Sequence, residues 1–302
     1  MSRTNYEKDR IRKAAQFEKD FEKRTTALKA GLFREVLSYL NENIKTDQNG
    51  RVAFNVSNIR TSNGVFRTIQ RFAKRTGQKL IKWLVVKLSD LFKTNSHYFR
   101  SFFDYPMSRD ERALRKLMLN LGFDISTNRV VKGGFFSRVF QLESIASSIA
   151  RDIQQALAAR GTLKAFRRLF RERFAAAKYV EKYFRRFTGD LFHQFDASAQ
   201  EVLSNDLGLI HFVYAGTEIK ETRCFCIRRL NRIYTKDFAE KWNGLTWKGK
   251  IPGSNFFIDR GGYNCRHHLS YITETRANRM AKQRGFKINS YNTSECNDER
   301  PI

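Results

Sequence analysis

The chain has 302 residues with 41% hydrophobic content, including 27 Phe and 11 Tyr, which excludes wholesale disorder and allows a substantial core. Its 57 Lys and Arg against 30 Asp and Glu leave a formal net charge of +27. That excess points first to nucleic acid, then to an anionic membrane surface or an acidic protein, with a merely solvated basic surface as the plain alternative. Four Cys are too few for a secreted disulfide scaffold, so a chain folded in a reducing cytoplasm is expected.

No Pro lies between Pro106 and Pro252, so nothing interrupts long helices there, and the predicted fold class is mainly α. Residues 5–43 are charged and helix-forming, with Ile11, Ala14, Phe17, Phe21 and Leu28 at three- and four-residue steps forming one apolar stripe. Asp47-Gln48-Asn49-Gly50 is a turn signal, the alternation in residues 51–56 predicts a short strand, and Asn63-Gly64 predicts a break. A helix is expected from Val65 to Phe92. Its most apolar run, Leu80 to Phe92, carries Lys82, Lys87 and Asp90 and is too short and charged to span a bilayer. Nothing in Met1–Arg24 reads as a signal peptide.

Between Arg60 and Arg100 ten Lys or Arg face one acid, Asp90. Arg71, Lys74, Arg75, Lys79 and Lys82 are the candidate phosphate contacts here. The interleaved Phe66, Phe72, Trp83, Phe92, Tyr98 and Phe99 are helically spaced, which favours a core role over stacking on bases. Ser108 and Glu111 suggest a capping box, Gly122 a helix stop, residues 124–131 an extended segment and Gly133-Gly134 a joint. Helix is then expected from Ser137 to Ser204, interrupted near Gly161 and Gly189. A second basic stripe lies within it: Arg160, Lys164, Arg167, Arg168, Arg171, Lys178, Lys182, Arg185 and Arg186. It is backed by an apolar face that includes Phe166, Phe170, Phe174, Phe184 and Phe187.

After Asp206 the pattern changes. Residues 208–216 and 255–259 have β character, and turn residues become frequent. The expected organisation is a basic helical region over 1–125, a helical region with a basic stripe over 126–206, a Cys/His α+β module over 207–275, and a charged, partly flexible tail over 276–302, helix-forming first and then loosely held from Asn289 to Ile302.

Three of the four cysteines and two of the five histidines fall in Cys224-Phe225-Cys226 and Cys265-Arg266-His267-His268. Cys224, Cys226, Cys265 and His267 supply four donors, the number a tetrahedral structural zinc needs. The gap within each pair is one residue rather than the usual two. The competing reading makes Cys226 and Cys265 buried small hydrophobes or a thiol pair, and a histidine a surface residue. Cys296, in the tail, is expected to take no part.

Several blocks occur in a specific order: Phe212-Val213-Tyr214-Ala215-Gly216-Thr217, Glu221-Thr222-Arg223-Cys224-Phe225-Cys226, Asn231-Arg232-Ile233-Tyr234-Thr235, Trp242, and Gly261-Gly262-Tyr263-Asn264-Cys265-Arg266-His267. In this order the chain resembles the phage Mu F-like minor head proteins, the head morphogenesis proteins of tailed bacteriophages, over residues 130–275. Thr222, Arg223 and Cys226 stand at that family's Thr-Arg-x-x-Cys element; Gly261, Gly262, Asn264, Cys265, Arg266 and His267 lie at or before its Asn-Cys-Arg-His element. Cys224 departs from the proline of many relatives, so a family-wide metal role for it is in doubt.

The resemblance implies a non-enzymatic virion protein, made in the host cytoplasm and sited in the head interior or at the portal vertex. Its implied partners are portal, major capsid or scaffolding proteins and packaged double-stranded DNA, with roles in head assembly, packaging or ejection. The alternatives are a metal-dependent nuclease using His267 or His268 with Glu221 and Asp259, or a membrane-active ejection protein.

Overall fold

Two long helices dominate the first third of the chain, α1 (Arg3–Asn43) and α2 (Val56–Phe103). The computed structural model describes residues 3–53, 55–132, 134–138, 143–177, 191–292 and 299–301. Along α1 the buried residues Ala14, Phe17 and Phe21, then Leu32, Val36 and Leu40, recur every three or four positions, so one stripe faces the core. The predicted strand at residues 51–56 is absent as such. Thr46 and Val52, and Arg51 and Thr162, form isolated bridges, and helix begins at Val56. Asn55 caps it, its side chain accepting from Asn58 N at 2.9 Å, while the buried Asn58 amide ties Lys45 O at 2.8 Å and Ala53 O at 2.5 Å.

The predicted break at Asn63-Gly64 is also corrected: α2 runs straight through. Gly64 is glycine because the Tyr39 hydroxyl occupies the space a Cβ would need. The aromatics of α2 answer to core packing, with Phe72, Phe92, Tyr98 and Phe99 all buried.

A 3-10 turn at Met107–Arg109 leads into α3 (Asp110–Asn120), so Ser108 sits inside the turn and caps nothing; Asp110 and Glu111 instead place negative charge in the first helical turn. Strands β1 (Phe123–Asp124) and β2 (Arg129–Val130) form a small hairpin. Among the described residues the expected long helical region comprises α4 (Phe135–Arg138), α5 (Glu143–Ala158), α6 (Leu163–Ala177) and α7 (Leu191–Asp206). Then come β3 (His211–Ala215), α8 (Cys224–Arg229), β4 (Ile233–Thr235), α9 (Lys236–Glu240) and β5 (Leu245–Thr246). Last are α10 (Phe256–Asp259), β6 (His268–Ile272), α11 (Glu274–Arg284) and β7 (Arg300–Pro301). The expected strand at 255–259 is thus a helical turn, set by Asn255, whose side chain accepts from Phe257 N at 2.9 Å.

The chain divides into two units. The basic unit comprises Glu18–Val86 and Met118–Gly189; the sheet unit comprises Met1–Phe17, Lys87–Leu117 and Asp190–Ile302. In the basic unit α6 buries Phe166, Phe170 and Phe174, and Phe33 of α1 packs on the last two with ring centroids 5.8 and 5.1 Å away.

The sheet unit is built on an antiparallel sheet ordered β4-β3-β6. Alternation along β3 sends Val213 toward Ile233, Ile272 and the α11 residues Ala277 and Ala281, with Ala215 packed against this cluster. It sends Phe212 and Tyr214 to the opposite face, among Tyr271, Phe225 and Phe256. Thr273 caps α11 and Gly285, at φ +66°, ends it.

The expectation of a loose tail is corrected for its described residues. Asn289 N donates to Ile233 O at 2.9 Å, Asn292 Nδ2 to Ile227 O and Leu230 O, and β7 pairs with β5. Glu299 makes two 2.7 Å bonds to Arg229, whose guanidinium lies 3.7 Å from the Phe225 ring centroid and 4.4 Å from that of Trp242. A guanidinium among aromatic rings retains a favourable environment while its carboxylate partner neutralises it. Cys296, Lys178, Lys182, Arg185, Arg186 and the expected interruption at Gly189 lie outside the described residues.

Candidate functional site

Two features stand out, a Cys/His cluster in the sheet unit and exposed cations in the basic unit. The cluster is built on the aromatic face of the sheet. Cys226 comes from α8, Cys265 from the loop before β6, and His267 from the residue just before that strand. Their ligand atoms all lie within 4.8 Å of one another. Cys226 Sγ is 4.0 Å from Cys265 Sγ, and Cys265 Sγ is 3.5 Å from His267 Nδ1. A tetrahedral zinc with Zn–S near 2.3 Å and Zn–N near 2.0 Å has S···S edges of about 3.8 Å and S···N edges of about 3.5 Å. These two separations are compatible with such an ion, and this cluster could hold a metal.

Cys224 does not join it. It is disulfide-bonded, so its sulfur is not a thiolate, and the predicted four-donor set becomes three.

Tyr214 of β3, which sequence reasoning passed over as a ligand neighbour, sits against all three. Its hydroxyl donates to Cys226 Sγ at 3.2 Å and lies 3.9 Å from Cys265 Sγ, and its ring stacks on His267 with centroids 5.4 Å apart. The hydrogen bond shared with Cys265 pushes the Cys226 thiol up, and burial adds to it. The same bond, received from Cys226, holds the Cys265 thiol well below its usual range, helped by His267. Burial pushes the Tyr214 phenol up, so it remains a donor. Burial, with Arg10 and Arg260 nearby, pushes His268 down and keeps it neutral.

The motif residues have structural explanations. A Cβ on Gly261 would run into Cys226 Sγ and lie 3.1 Å from Cys265 Sγ, and one on Gly216 would lie 2.6 Å from the His267 ring. Both glycines are thus needed for close approach to the cluster. Gly262, at φ +95°, has the Gly249 carbonyl where a Cβ would go. The Gly261 carbonyl accepts from Trp247 Nε1 at 3.0 Å, locking the loop. Thr222 Oγ1 accepts from Ile219 N at 2.7 Å, and Arg223 donates to Tyr263 O, tying the Cys226 segment to the Cys265 loop. Asn264 takes φ +56° in that loop, and Arg266 is exposed.

Of the carboxylates considered for a nuclease, Asp259 accepts from Gln194 Nε2 at 2.9 Å and from Asn255 N at 3.1 Å, and Glu221 is exposed. Among the described residues neither belongs to the metal-competent group.

The basic unit holds 28 Lys and Arg against 11 Asp and Glu, net +17, whereas the sheet unit holds 29 against 19, net +10. Arg71, Lys74, Arg75, Lys79 and Lys82 are all exposed on α2. At 3.6 residues per turn they and Arg67 fall within an arc of roughly 140°, opposite the buried Ile69, Ala73, Leu80 and Leu84. Arg160, Lys164, Arg167, Arg168 and Arg171 are exposed on and just before α6. Arg75 pairs with Glu35, Arg168 reaches Glu172 at 3.9 Å, and Arg167 donates to Asn41 at 2.7 Å. Arg71, Lys74, Lys79, Lys82, Arg160, Lys164 and Arg171 have no ion pair among the described residues. No helix among the described residues is long and apolar enough to cross a membrane.

Compared with protein-family models, with curated proteins and with solved structures, the chain finds no match.

Proposed function

We propose that the protein is a non-enzymatic minor capsid protein of a tailed bacteriophage that contacts packaged double-stranded DNA through its basic unit. The observation that carries this is the row of exposed cations along one face of α2, all but Arg75 without an ion pair among the described residues, joined by those of α6 in a unit of net charge +17. Such a surface neutralises phosphates without reading bases. Phe72, Phe92, Tyr98 and Phe99 of α2 are committed to the core, which favours charge over stacking as the means of contact. The order of the Thr222–Cys226 and Gly261–His267 blocks supports placing the chain among head morphogenesis proteins, at the portal vertex or head interior. There it would work with portal, capsid or scaffolding proteins in assembly, packaging or ejection.

In the same reading the sheet unit is a rigid docking module, and Cys226, Cys265 and His267 hold a structural zinc. When bound, the ion would cross-link α8, the Gly261–Arg266 loop and the start of β6, adding folding free energy on the order of 10 kcal/mol. The chain's own part is to supply two thiolates, to orient them with the Tyr214 hydroxyl, and to keep side-chain bulk away with Gly216 and Gly261.

Mass spectrometry and cryo-microscopy of purified particles test the assignment: the chain should be present in few copies at the vertex or inside the head. Its absence from particles would overturn the reading. Elemental analysis should find one zinc per chain, lost on Cys226→Ser.

A further inference from the structure

Two buried nitrogens near the Cys/His cluster, His268 Nδ1 and Arg260 Nε, have no hydrogen-bond partner among the described residues. Buried polar atoms are rarely left unsatisfied, and those that are call for an unplaced water or ion. Both side chains line one cavity of about 20 Å³, and Cys265 and His267 line it too. A space of that size takes one water-sized species.

Hydrogen-bonding character decides what kind of species. Asp196 lines the cavity and is paired with Arg10, and Asp259 has both oxygens engaged by Gln194 and Asn255. Arg10 and Arg260 balance these two carboxylates, and the Arg260 Nε–H is a donor that calls for an acceptor in the cavity. A zinc ion held by two thiolates adds no net charge. The protein supplies three donors, and the cluster borders the cavity through Cys265 and His267. The rival fourth donor is the Tyr214 hydroxyl, which is already donated to Cys226 Sγ at 3.2 Å.

We propose that the metal keeps its fourth position open to this cavity and takes there a water-sized anion, hydroxide or halide, held also by Arg260 and His268. This rests on the zinc reading above and sharpens it from a closed structural site to one with an exchangeable ligand.

The test uses the full chain loaded with Co²⁺ in chloride-free buffer and titrated with chloride and bromide. The thiolate-to-cobalt absorption should persist while the ligand-field bands shift saturably. Arg260→Gln and His268→Gln should each weaken the halide response by about tenfold and still hold one cobalt per chain. If Arg260→Gln does not fold, His268→Gln carries the comparison. Bands that do not move with halide would overturn the proposal and leave the zinc reading intact, with Tyr214→Phe then identifying the protein's own fourth ligand. Parental halide response in both variants would overturn the role of Arg260 and His268. A chain that binds no cobalt would remove the zinc reading itself.

Discussion

Replacing Arg71, Lys74, Lys79 and Lys82 together with Gln isolates the electrostatic contribution of α2. These side chains are exposed and have no ion pair among the described residues, and Gln matches Lys and Arg in helix propensity. The variant should therefore unfold within about 0.5 kcal/mol per site of the parent. Its DNA binding should change far more. If all seven unpaired cations of α2 and α6 meet phosphates, the slope of log K against log salt is about −6, since each contact contributes about 0.9. A rise from 50 to 200 mM salt then weakens parental binding by between about 10³ and 10⁴. Removing four contacts should bring the slope to about −3. Fluorescence anisotropy of a labelled duplex across a salt series reads both quantities. A parental slope near zero, or an unchanged slope in the quadruple variant, refutes phosphate neutralisation by α2.

Gly261→Ala places a methyl group against both thiols, and overpacking of this kind costs about 1–3 kcal/mol; urea unfolding should show it, together with loss of bound metal. Arg229→Met removes the partner of Glu299's two 2.7 Å bonds and leaves it Arg228 at 3.4 Å. Breaking a buried pair outright costs about 3–5 kcal/mol, so with this residual partner the loss should be smaller but the midpoint should still fall below that of an exposed control such as Lys282→Met. Burial holds the phenols of Tyr234 and Tyr271 protonated, with Glu201 adding to the effect at Tyr271. The raised folded values mean that this stability is complete below about pH 10 and is lost as pH climbs through them, at about 1.4 kcal/mol per pH unit for each ring. Urea titrations at pH 9 and pH 11 check this, and equal midpoints would contradict it.

Helical periodicity was the most legible part of the chain. Ala14, Phe17 and Phe21 lie on the stripe their spacing indicates, and Phe72, Phe92, Tyr98 and Phe99 of α2 went to the core because a 3.6-residue repeat leaves one face to bury. Local punctuation was less reliable. Gly64 reads as a break, yet it is a contact point for Tyr39, because a glycine that makes room for a neighbour looks the same in sequence as one that turns the chain. The tail around Asn289 and Asn292 reads as loose because its polar side chains find their partners 54 to 65 residues away, at Thr235, Ile227 and Leu230.

The same distinction runs through the candidate site. Rarity and clustering of Cys and His, visible in the linear chain, were enough to mark Cys226, Cys265 and His267 as a group. Which donors meet is a matter of three-dimensional distance: the sheet brings Tyr214 among them, and the disulfide takes Cys224 away. Charge was legible as a total of +27, since summing charges needs no coordinates. Its concentration in one unit, and the pairing of Arg75 and Arg168 while Arg71 and Lys82 stay free to meet a partner, depend on which helix faces fold inward. Composition and periodicity are additive along a chain and can be read from it, whereas donor geometry, burial and ion pairing arise only where distant segments come together.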